Sequence, residues 1–192
     1  MLDFLYSIVS LQTVILQGGE DIRKRTNEQL FLAVANISST KKILVIPWTQ
    51  ESEEKEMEYT HILWKYFLDS GFQSVYFLKR EDSYEQIAEK FSSVDVIYLP
   101  GGDPNVLYRE LNSRSLQKKL RNFKGIIIGN SAGAIVLSKG GWGDGKFYTG
   151  FGLVDFYVSV HYKFDAGHVT ETKDAINVNI PENMWVTVTN ER

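Results

Sequence analysis

Ser131 stands between two glycines in Gly129-Asn130-Ser131-Ala132-Gly133, after the apolar run Gly125-Ile126-Ile127-Ile128 and before Ala134-Ile135-Val136-Leu137. A strand, a sharp turn centred on the serine and a helix would lift its hydroxyl above a sheet and aim the following backbone N–H groups at whatever the oxygen attacks. A serine hydroxyl is a weak nucleophile at neutral pH, so it needs a base for its proton, an acid to orient that base, and N–H donors for the oxyanion. His161 follows the strand-like Val158-Ser159-Val160 and is the best base among the three histidines; His168 is second. An order of serine, acid, histidine leaves Asp144 and Asp155 as orienting acids. Asp144 is favoured, because it sits in a glycine-rich loop whereas Asp155 lies inside an apolar run. The oxyanion donors are expected to be the N–H groups of Ala132 and of Gly102 in Pro100-Gly101-Gly102-Asp103. Such serine turns also cap helices without catalysing anything; the second glycine loop and the downstream histidine turn the reading towards catalysis.

Short apolar runs alternate with longer amphipathic ones, the pattern of an α/β chain whose mostly parallel sheet is covered by helices on both faces. Strands are expected over 13–16, 43–46, 75–78, 94–99 and 125–128, and helices over 21–37, 53–69, 83–91 and from Pro104 onward. His61 shares the helical spacing of Met57, Trp64 and Leu68 without polar companions, so it reads as a packing or surface histidine. In open α/β sheets ligands gather outside the carboxyl ends of the strands, which puts the Gly101-Gly102 loop and Ser131 on one rim. Beyond the serine helix a loop is expected over 140–145, then short strands over 147–149 and 157–160 and an alternating strand over 184–189.

Residues 1–192 are expected to form a single domain, since 192 residues at 43% hydrophobic content suffice for one substantial core and not for two. A net charge of −3 without a lysine and arginine stripe argues against nucleic acid as partner, and Arg23-Lys24-Arg25 reads as a solvated helix face. The absence of cysteine excludes disulfides and thiol chemistry and fits a reducing compartment. No apolar run reaches the ~20 residues that span a bilayer, and the apolar start carries Asp3 and lacks a basic n-region. The expectation is a cytoplasmic protein without a membrane partner. His161, His168 and Glu171 have no recognised ligand spacing, so neither a metal nor an organic cofactor is expected. Two rival classes stay open: an α/β-hydrolase esterase, whose histidine usually lies far downstream, and a binding protein without a working triad.

Tyr98-Leu99-Pro100-Gly101-Gly102, Gly129-Asn130-Ser131-Ala132-Gly133-Ala134 and Gly152-Leu153-Val154-Asp155-Phe156 running to His161-Tyr162 resemble the serine peptidases that include aspartyl dipeptidase and cyanophycinase. Gly167-His168-Val169-Thr170-Glu171-Thr172-Lys173 is similar to the segment after that family's catalytic histidine. The resemblance implies a three-layer sandwich of the class I glutamine amidotransferase type and a serine exopeptidase acting on small peptides. It makes Ser131 the nucleophile and His161 the base, with the acid mapping onto Asp144. The dipeptidase preference for an N-terminal aspartate requires a cation: Lys173 falls where the dipeptidase has an arginine, and Lys163 is a second candidate. Asp103 replaces the asparagine usual in the family's loop and puts a negative charge beside the substrate, which would repel an aspartyl side chain. The interval from Ser131 to His161 is also shorter than in the dipeptidase.

Overall fold

The computed structural model describes residues 12–163 and 176–190. Five strands, β1 (Gln12–Gln17), β2 (Lys42–Val45), β3 (Ser74–Phe77), β4 (Val96–Leu99) and β5 (Ile126–Asn130), pair in parallel in the order β1-β5-β4-β2-β3. A second, four-stranded sheet is made of β6 (Gly140–Gly143), β7 (Lys146–Thr149), β8 (Tyr157–Ser159) and β9 (Asn177–Asn179). The last strand, β10 (Trp185–Asn190), returns to the first sheet and lies antiparallel to β1 at its edge.

Side chains alternate across a strand, and the apolar residues of the parallel strands divide accordingly. Val14, Leu16, Leu44, Ile46, Ile97, Leu99 and Ile127 enter one core, while Ile15, Ile43, Val45, Val96, Tyr98 and Ile128 enter another on the opposite face. Two helices, α1 (Glu28–Ile37) and α2 (Glu53–Asp69), cover the second core with Leu30, Phe31, Val34, Leu63, Tyr66 and Phe67. The other core is closed by α3 (Tyr84–Ser92), α4 (Pro104–Ser113), α5 (Leu116–Asn122) and α6 (Ala132–Leu137). The result is a three-layer α/β sandwich. No helix among the described residues is long and apolar enough to cross a membrane.

Two local expectations change. The helix expected from Asp21 starts only at Glu28, because the Asp21 carboxylate accepts hydrogen bonds from Arg23 N and Lys24 N, 3.1 Å each, and holds a turn instead. The loop expected over 140–145 is the β6–β7 hairpin, with Gly143 paired to Lys146 across Asp144 and Gly145. Both turn residues have positive φ, 50° and 72°, the conformation that makes Asp-Gly a favoured two-residue hairpin turn. His61 is exposed and stacks on Trp64 at 6.3 Å.

Candidate active site

Ser131 joins β5 to α6 with φ 48° and ψ −102°, a conformation that costs a non-glycine residue about 1–3 kcal/mol and survives only where its surroundings enforce it. The enforcement is visible. Ser131 N donates to Gln17 O at 3.0 Å, and Ser131 O accepts from Ile135 N at 3.0 Å. The flanking glycines let three segments touch: a Cβ on Gly129 would sit 2.5 Å from Gly133 C, and one on Gly133 would sit 2.2 Å from Leu99 O.

His161 follows β8 and also has positive φ, 52°. Its N–H donates to Gly18 O at 2.8 Å, which ties the histidine to the carboxyl end of β1. The ring reaches Ser131, with Nε2 2.7 Å from Oγ, and on its other side Nδ1 contacts Glu182 Oε1. A carboxylate only accepts, so Nδ1 carries the proton it faces and Nε2 is left to accept the serine hydroxyl.

The acid beside the histidine is therefore Glu182, not Asp144 or Asp155. Asp144 is fixed at the tip of the β6–β7 turn, exposed and without a hydrogen bond or ion pair among the described residues. Asp155 pairs with Lys139 at 2.5 Å. Glu182 occupies the turn between β9 and β10, downstream of the histidine, where Asn183 N donates to Gly19 O at 3.0 Å and Met184 N to Pro181 O at 3.2 Å. Gly19 packs on the pair so tightly that a Cβ there would lie 2.3 Å from Glu182 Oε2 and 2.6 Å from His161 Nδ1. Behind it, the partly buried Glu20 accepts from Tyr66 Oη at 2.5 Å and Asn27 N at 3.3 Å. Burial pushes the Glu20 carboxyl above its ordinary range, an effect these hydrogen bonds offset only in part.

The second glycine loop lies against Ser131: a Cβ on Gly101 would be 3.5 Å from Ser131 Cβ. Gly102 has φ 138° and rests on Thr49, whose Oγ1 donates to Gly101 O at 2.9 Å and whose carbonyl accepts from Asp103 N at 3.0 Å. Thr49 thus braces a loop that the sequence reading attributed to glycines alone. The N–H groups of Gly102 and Ala132 have no acceptor among the described residues. Asp103 caps α4 through Asn105 N at 2.8 Å, and Pro104 occupies its first turn. Ser131, His161, Gly102, Asp103 and Asp144 all line one cavity of about 510 Å³. Lys163 is exposed; Lys173, His168 and Glu171 lie outside the described residues. Among the described residues no group of three or more histidines and carboxylates could hold a metal ion.

Two solved structures share this architecture. A peptidase from an acI-B1 Actinobacterium superposes with a TM-score of 0.74 at 23% identity, over 95% of this chain and 86% of that one. A putative peptidase E protein from Listeria monocytogenes EGD-e gives 0.70 at 20% identity, over 95% of this chain and 96% of that one. At such identities the likeness is one of fold, the class I glutamine amidotransferase type. No curated protein matches the chain. Peptidase family S51 does match it, over residues 14–192, nearly the whole length. A match of that extent places the chain in peptidase family S51, and it is a serine-type peptidase.

Proposed function

We propose that this peptidase hydrolyses small peptides with Ser131 as nucleophile, His161 as general base and Glu182 as the acid that orients the imidazole. The observation that carries the reading is the unbroken contact from Ser131 Oγ to His161 Nε2, 2.7 Å, and from His161 Nδ1 to Glu182. As Ser131 Oγ attacks the scissile carbonyl, its proton passes to Nε2 and the Glu182 carboxylate stabilises the imidazolium. The Ala132 and Gly102 N–H groups receive the oxyanion, and being fixed by α6 and by Thr49 they need no reorganisation in the transition state. His161 then protonates the leaving amine, and a water activated by the same ring releases the acyl group from Ser131.

A cavity of about 510 Å³ is of a size for a short peptide, which supports dipeptidase activity. A chain without cysteine suits the reducing cytoplasm, where we place this activity. The test is intact mass after exposure to an uncharged fluorophosphonate, on wild type and Ser131→Ala, with hydrolysis of a dipeptide panel in parallel. A single adduct lost in the variant, with dipeptide turnover, is the expected result. No adduct on folded protein would leave the binding-protein alternative instead.

A further inference from the structure

Among the described residues, three carboxylates line the cavity that faces Ser131, those of Glu51, Asp103 and Asp144, against one ammonium, Lys55. Glu51 is neutralised from outside by Arg109 at 3.0 Å. Among the described residues Asp103 is engaged only with backbone, as the α4 cap, and Asp144 has no partner. Glu182 adds a fourth carboxylate directly behind the imidazole. A peptide entering this space meets these exposed carboxylates beside Ser131, so their pull on it is screened by salt.

We propose that the cavity selects peptides that bring positive charge next to the scissile bond, held by Asp103 and Asp144, and discriminates against aspartyl peptides. The inference rests on the catalytic reading above and names the substrate class of that same site. It gives the Asp103 carboxylate a use beyond capping α4. It also gives Asp144 a role that its separation from His161 leaves free. Lys55 offers a contact for the C-terminal carboxylate of a short peptide.

The experiment measures protection of Ser131 from the uncharged fluorophosphonate by Arg-Leu, Lys-Leu, Leu-Leu and Asp-Leu, which reads binding whether or not each peptide turns over. It is repeated on Asp103→Asn/Asp144→Asn; asparagine keeps both the cap and the left-handed turn. The expected result is protection by the basic peptides at concentrations at least about tenfold below Asp-Leu, a gap that narrows in the double variant. The same gap should shrink with added salt in wild type, a readout that needs no variant to fold. Labelling with equal protection by Arg-Leu and Asp-Leu, or better protection by Asp-Leu, overturns the selectivity and leaves the catalytic reading standing. Absence of labelling in wild type overturns the catalytic reading, and the selectivity with it.

Discussion

Gly19 lies against the ring of His161, and no side chain fits there unless its neighbours move: a Cβ would come within 2.6 Å of Nδ1 and 2.3 Å of Glu182 Oε2. The glycine is the wall that sets where the imidazole and carboxylate meet. Gly19→Ala should therefore displace the flexible side chains rather than the sheet. We expect fluorophosphonate labelling of Ser131 to slow by about 100-fold, the usual effect of an ångström-scale misplacement. The melting temperature should move little, and a large fall would assign Gly19 to folding instead.

Glu182→Gln removes the charge behind the imidazole while keeping its shape, and the amide can present a donor to Nδ1 and so favour the wrong tautomer. A loss in kcat of about 10³ to 10⁴-fold is expected. Asp144→Asn should instead act through KM and through the charge preference of the substrate. If the two variants exchanged these effects, the acid would be Asp144 and the contact to Glu182 incidental.

The difference between those two acids shows where the sequence is informative. The serine turn was legible because its requirements are local: an apolar strand, glycines where backbones collide at Gly129 and Gly133, and an apolar helix. His161 was legible because it ends a strand close downstream. Glu182 was not, because its position depends on β10 pairing with β1 across nearly the whole chain, Gln12 opposite Asn190 and Gln17 opposite Trp185. That pairing carries the turn before β10 to the rim where β1 ends at Gly18-Gly19. The available signal was Pro181-Glu182-Asn183, a turn bearing a carboxylate just ahead of an alternating strand. Searching only between serine and histidine, as a fixed triad order demands, discarded it. The β6–β7 hairpin was announced by Asp144-Gly145, and the same two residues were read as loop and as acid.

Glu20 gives a pH test of the scaffold behind Gly19. Burial raises its carboxyl pKa in the folded protein above the ordinary 4.5, so charging it opposes folding. At a pH below 4.5 both states are protonated and the penalty is absent; as pH rises through the folded value the penalty develops in full. Glu20→Gln should then melt higher than wild type at neutral pH, with the advantage shrinking as the solution is acidified. The glutamine carbonyl can still accept from Tyr66. Equal melting temperatures at both pH values would mean that Glu20 is charged at no cost.

The last prediction concerns strain at Ser131. Ser131 and an alanine in its place must both hold φ 48° with ψ −102°, and both variants, Ser131→Ala and Ser131→Gly, lose the hydrogen bond to His161. Comparing them therefore cancels the hydroxyl and leaves the backbone. Glycine pays more conformational entropy on folding, but it adopts this conformation without a steric clash, and where φ is positive the second effect exceeds the first. Ser131→Gly should be more stable than Ser131→Ala by about 1 kcal/mol in denaturant unfolding, with neither labelled by the fluorophosphonate. A serine retained where glycine folds better is held there by chemistry. Alanine proving the more stable of the two would show that the turn is unstrained, and this part of the case for a nucleophile would fall.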